Sequence, residues 1–224
     1  MSRIKFQQNL DDLKERLLVM AGFAEQAIQR AIEAYRTRDL SICELVLRSE
    51  PAINRLEREI DQMALDLLAM EQPMAVDLRF ILSVIRINAD LERVGDQAVN
   101  IAIRVREMGA FDDTDLPVDI PKLASLASGM VRKALQAFID GNAELASSVL
   151  LLDDQVDDMN DNAFTELSAL IRDRPELTAQ SLNALIIARN LERVGDHATN
   201  IAEDVIFWIR GKDVRHKGTT GATA

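Results

Sequence analysis

LERVGDQAVNIA, residues 91–102, and LERVGDHATNIA, residues 191–202, match at ten of twelve positions and lie one hundred residues apart. Self-similarity at a long fixed period marks two copies of one structural unit. In each copy the apolar residues recur every three or four positions: Leu91, Val94, Ala98 and Ile101, then Leu191, Val194, Ala198 and Ile201. That is the period of a helix with one buried face. The expected fold is therefore all-α and duplicated.

The surrounding sequence extends this reading. Phe6, Leu10, Leu13, Leu17, Met20, Ala24, Ala27, Ala31 and Tyr35 predict a first helix over about 6–36. Asp39 suits the cap of a second, which Pro51 should kink or interrupt. Gln72-Pro73 ends it, and a third helix follows over about 75–108. The acidic stretch 109–120, GAFDDTDLPVDI, reads as a linker. Pro121 opens a fourth helix, which ends at Asp140-Gly141-Asn142. A fifth is marked by Val149, Leu152, Val156, Met159, Ala163, Leu167 and Leu170. The sixth runs from about Pro175 to Arg210. Short turns make neighbours antiparallel. The expected domains are two tandem antiparallel three-helix bundles, residues 1–108 and 121–210, with a flexible tail at 211–224.

Composition excludes several classes. A net charge of −11 over 224 residues argues against direct nucleic-acid binding. The single cysteine, Cys43, allows no internal disulfide and suits a reducing cytoplasm, where it reads as an apolar filler. The charged start gives no expectation of a signal peptide. The longest stretch without Asp, Glu, Lys or Arg is Leu177–Ala188, twelve residues. That is well short of the ~20 needed to span a bilayer. The chain is expected to reach a membrane only through partners.

The repeated segments carry acids at helical spacing: Glu92, Asp96 and Asn100, then Glu192, Asp196 and Asn200. Carboxylates at i, i+4 stand one above another and repel. Folding each hairpin about its break brings Glu50 and Asn54 level with Glu92 and Asp96. It likewise brings Asp153 and Asp157 level with Glu192 and Asp196. Such oxygen donors suit magnesium, calcium, manganese or ferric iron. The competing reading is surface ion pairing: Arg93–Asp96, Arg189–Glu192 and Arg193–Asp196 are all i, i+3 pairs. Glu57 and Asp61 come level with Arg86 and read as ion-pair partners first. His197 and His216 read as solvated histidines. Gly95 and Gly195 weaken a helix interior, and the missing side chain allows a close neighbour. Glu203 in place of Ile103 makes the second site the more acidic.

The chain resembles the PhoU family of phosphate-transport accessory regulators. MEQPMAVDLRFILSVIRINADLERVGDQAVNIA and IARNLERVGDHATNIAEDVIFWIRGKDVRHKG look like the family's two signature stretches. The resemblance implies two tandem bundles with multinuclear metal, often iron, on paired acidic motifs. It implies a cytoplasmic, often dimeric protein that restrains the phosphate-starvation response. Its partners would be the sensor kinase PhoR and the transporter ATPase PstB. Glu92 and Asp96 match one motif, Glu192 and Asp196 another, and Asp153 and Asp157 a third. Glu50 and Asn54 occupy the fourth, with Asn in place of Asp.

The expected function is thus a non-enzymatic adaptor. No nucleophile triad, phosphate-cradling loop or cofactor fingerprint is visible. The rivals are a di-iron carboxylate enzyme, which would need a Glu-x-x-His motif that the stripes lack, and a metal-storage bundle.

Overall fold

The structure is a computed structural model that describes residues 3–112 and 114–214. The expected flexible tail from 215 onward, with His216, lies outside the described residues, as does residue 113. Seven α-helices and no strand are found among the described residues. They are α1 (Arg3–Thr37), α2 (Leu40–Glu71), α3 (Val76–Met108), α4 (Ile120–Asp140), α5 (Ala143–Leu150), α6 (Asp153–Asp173) and α7 (Thr178–Arg210). A 3-10 turn, Pro175–Leu177, precedes α7.

Local chemistry sets the boundaries. The Asp39 carboxylate caps α2 by accepting the Ser41 amide at 2.8 Å. Asp119 caps α4 through the Lys122 amide at 2.9 Å, and Pro121 follows inside its first turn. Gly141 closes α4 at φ +60°, the left-handed region open to glycine. The side-chain oxygen of Asn142 then accepts the Leu145 amide at 2.9 Å and starts α5.

Two expectations about the middle helices are corrected. Pro51 does not interrupt α2, which runs unbroken through it. The break lies in the other half, where the single fifth helix expected from the sequence is two. The Leu152 amide turns back to the Val149 carbonyl at 2.9 Å, and α6 begins afresh at Asp153. Asp153 and Asp154 fill its first turn. Acids there meet the positive end of the helix dipole, which favours a new start at that point.

In the first half α1, α2 and α3 pack on one another; in the second, α4, α5 and α6 pack around α7. The two bundles pack against each other. α3 and α7 lie against each other more extensively than any other pair of helices. The buried residues form one continuous core, from Leu10, Leu13 and Leu17 of α1 to Ala198, Ile201 and Val205 of α7. An aromatic group joins the two halves. The Phe80 ring lies 5.9 Å from Phe138 and 5.1 Å from Trp208, and those two lie 5.5 Å apart. Cys43 is fully buried, and that burial pushes its thiol pKa up. No described helix is long and apolar enough to cross a membrane.

Candidate metal centre

α6 and α7 approach closely because residue 195 has no side chain. A Cβ on Gly195 would stand 3.2 Å from Val156 Cγ1. Acids flank this contact on both helices. Asp153 and Asp157 are one turn apart on α6, and Glu192 and Asp196 one turn apart on α7. Asp153, Asp157 and Asp196 each offer a carboxylate oxygen within 4.8 Å of the other two. Among the described residues they are the group of acids that converges in this way. Glu192 is 8 % exposed; one oxygen accepts Arg189 at 2.7 Å, and Oε2 is buried without a partner. Asp153 Oδ1 is also buried and unmet.

Such a group is electrostatically unfinished. Burial, then the charges of Asp157 and Asp196, push the Asp153 pKa up to about 6. Burial and then Asp196 raise that of Asp157. Burial and then Asp196 raise that of Glu192, against the pull of Arg189. Unmet buried carboxylate oxygens cost stability unless a proton or a cation answers them. An all-oxygen donor set of this kind fits a hard cation.

The equivalent place between α2 and α3 is built differently. Gly95 plays the part of Gly195, with Ile53 Cδ1 2.8 Å from where its Cβ would be. The Glu92 pKa is raised by burial, then by Asp96, with Glu57 and Glu50 adding smaller pushes. Arg93 opposes them. Its Nε lies 3.5 Å from Glu92 and its Nη1 3.4 Å from Asp96. Asn54 Oδ1 is buried without a partner, so it faces inward as a neutral oxygen. Arg93 thus lies against both acids of its helix, whereas in the second half Arg189 pairs with Glu192, and among the described residues no arginine pairs with Asp153, Asp157 or Asp196.

Several residues stand elsewhere than the sequence suggested. Asn200 is turned away from Glu192 and Asp196; its amide donates to Asp90 on α3 at 3.1 Å. Eight residues advance a helix by about 80° beyond whole turns, enough to carry it round to the neighbouring half. Asn100 is exposed. His197 is not solvated: its Nδ1 lies 2.8 Å from Asp90 Oδ1, and both side chains are largely buried. Arg86 does not meet Glu57 or Asp61. It pairs with Asp204 of α7 at 3.0 Å and lies over the Phe207 ring. Asp61 instead accepts the Asn88 amide at 2.9 Å. Of the expected i, i+3 pairs, Arg93–Asp96 and Arg189–Glu192 form.

The polar seam between α3 and α7 was not among the features expected from the sequence. Ser83 donates to the Asp204 carbonyl at 2.9 Å and Arg79 to the Trp208 carbonyl at 3.1 Å. One signal of it is present in the chain. Asp90 and His197 stand where the other copy has Asn190 and Gln97, so both members of the contact change together.

Comparison with known proteins agrees with this architecture. The PhoU domain family model matches the chain twice, over residues 17–105 and 120–205. The chain is 37% identical to a phosphate-specific transport system accessory protein PhoU homolog of Pseudomonas aeruginosa, covering 96% of this chain and 90% of the relative. A homolog of the same description from Clostridium acetobutylicum is 32% identical, covering 96% and 98%. Among solved structures, PhoU from Pseudomonas aeruginosa superposes with TM-score 0.89 at 36% identity, over 92% of this chain and 100% of that one. The phosphate transport system regulatory protein PhoU from Streptococcus pneumoniae gives TM-score 0.86 at 28% identity, over 93% and 99%.

Proposed function

Because this chain belongs to the PhoU family, we propose that it is a non-catalytic adaptor of phosphate signalling. In this reading it restrains the phosphate-starvation response and modulates phosphate uptake. It works in the cytoplasm as a homodimer, through contacts with the sensor kinase PhoR and the transporter ATPase PstB. The coarser part rests on the relatives, which are named accessory and regulatory proteins of phosphate transport.

The observation that carries the molecular part is the convergence of Asp153, Asp157 and Asp196 beside the unmet oxygen of Glu192. These residues would hold a metal ion, iron by resemblance, with magnesium, manganese or calcium equally suited to the donors. Glu50, Asn54, Glu92 and Asp96 would make the weaker counterpart. A bound cation would supply positive charge and cross-link α6 to α7. Arg189 holds Glu192 in place. Gly195 and Val156 set the spacing of the two helices. The di-iron enzyme reading asks for histidine at the carboxylates. His197 is instead engaged with Asp90, on the side of α7 that faces α3.

The test is a pull-down of both partners by protein purified without chelator, with elemental analysis of the same sample. The adaptor reading expects both partners to be retained, with retention weakened by chelator and by salt. It fails if folded, metal-loaded protein binds neither partner and instead turns over a phosphorylated substrate.

A further inference from the structure

The two halves differ in how their outer helices meet. α1 and α2 pack along their length, with Arg16 paired to Glu59 across them. α6, re-aimed by the turn at Leu151 and Leu152, follows α7 and meets α4 at few places. A groove is left between α4 and α6. Its wider stretch, about 630 Å³, is lined by Lys122, Leu126, Gly129, Leu152, Asp158 and Met159. It continues past Lys122 and Met159 into a narrower stretch of about 220 Å³, bounded by Val118, Ala163 and Glu166.

We propose that this groove is the docking site for a basic amphipathic helix of a partner protein. The inference rests on the adaptor reading and supplies the surface that reading requires.

Length, floor and charge point the same way. The α6 wall from Leu152 to Glu166 spans about 21 Å at 1.5 Å per residue, which matches roughly four turns of helix. The floor is apolar and adaptable, with Leu126, Leu152 and Met159 partly buried. Methionine moulds itself to a range of apolar side chains. A Cβ on Gly129 would meet no atom within 4 Å. Glycine weakens a helix interior, and nothing in the folded chain fills the space it leaves. A guest backbone lying over Gly129 would use that space, as Ile53 uses Gly95 and Val156 uses Gly195.

Charge selects the guest. Three acids line the groove, Asp119, Asp158 and Glu166, against one lysine, Lys122. Asp158 and Glu166 stand exposed on the groove wall two turns apart, with Lys122 opposite. A helix with leucines on one face and lysines or arginines at its flank would seat the first on the floor and the second against the acidic rim.

The experiment uses the full chain and two fluorescein-labelled amphipathic peptides of about sixteen residues, alike except that one is flanked by lysines and the other by glutamates. Fluorescence anisotropy should show the lysine peptide binding at least tenfold more tightly. Gly129→Leu, which fills the groove, and the exposed double variant Asp158→Lys/Glu166→Lys should each weaken it at least tenfold with unchanged circular dichroism. If Gly129→Leu misfolds, the double variant carries the decision. Equal affinity for the two peptides, no binding, or binding indifferent to the variants overturns the proposal. So does sedimentation showing that Gly129→Leu changes the native mass, because a second copy would then occupy the groove. Failure here with intact pull-downs sinks the groove alone. Peptide binding with failed pull-downs sinks the adaptor reading alone.

Discussion

Asp90 of α3 and His197 of α7 meet at 2.8 Å across the seam between the two halves. The same Asp90 oxygen accepts the Asn200 amide at 3.1 Å. Removing Asp90 leaves two polar groups at the seam without their acceptor. Asp90→Ala should therefore destabilise the protein by about 1–3 kcal/mol. Asp90→Asn keeps an acceptor oxygen and should cost less. Urea denaturation of the two variants, analysed for midpoint and slope, checks the ranking.

Metal should bind the second half more tightly than the first. Asp153, Asp157 and Asp196 converge there, whereas Arg93 already answers Glu92 and Asp96, and Asn54 is neutral. Glu192→Gln/Asp196→Asn should lose more metal than Glu92→Gln/Asp96→Asn, read by elemental analysis and calorimetric titration. The opposite order would overturn the ranking.

The Asp153 carboxyl gives the centre a pH signature. Its folded pKa is about 6, above the ~3.9 of an unfolded aspartate. Between those values the folded state holds more protons, so this group's effect on metal-free stability worsens as pH rises from about 4 to about 6. Asp39, Glu144 and Glu176 are shifted downward and act in the other direction. The useful readout is therefore the difference between wild type and Asp153→Asn. Without metal, the variant should be the more stable at pH 7, with the gain gone near pH 4. With metal the sign at pH 7 reverses, because the cation needs the ionised carboxylate. Affinity of the wild type should fall about fivefold between pH 6 and pH 5 as the proton competes at Asp153.

Gly195 sets the distance between the helices that carry the acids. Gly195→Val would drive a branched side chain into Val156, already 3.2 Å from the position of a Cβ. Overpacking of this kind costs about 1–3 kcal/mol. The separation of α6 from α7 should also lower metal affinity. Thermal melts with and without metal check both effects. A variant with wild-type metal stabilisation would show that the close approach is dispensable to the centre.

Phe138 ties α4 to the seam, fully buried between Phe80 and Trp208. Phe138→Ala should cost about 3–5 kcal/mol through lost burial and the cavity left behind. The emission of Trp208, the single tryptophan, should shift as its neighbour is removed.

Much of this was written into the chain locally. Helical period alone assigns Leu10, Leu17, Ile53, Val94 and Val194 to the core, where all five are buried, because a helix has one apolar face and it must be covered. Asp39, Asn142 and Gly141 announced their caps, since those roles depend on a few adjacent atoms. The repeat gave the duplication, and folding the second hairpin about residue 173 set the Asp153 and Asp157 rung against Glu192 and Asp196. What the tertiary structure alone decided is which neighbour each face meets. α3 and α7 are apolar over so wide an arc that each serves its own bundle and the other half at once. Period cannot divide that arc between two partners. Hence Arg86 reaches Asp204 instead of Asp61, and Asn200 and His197 turn to Asp90. The break at Leu151 and Leu152 is not legible in the sequence, because apolar spacing continues across it from Val149 to Leu152 and Val156. That break re-aims α6. It sets the acids beside Asp196 and opens the groove against α4, since a rigid helix can follow only one neighbour along its length.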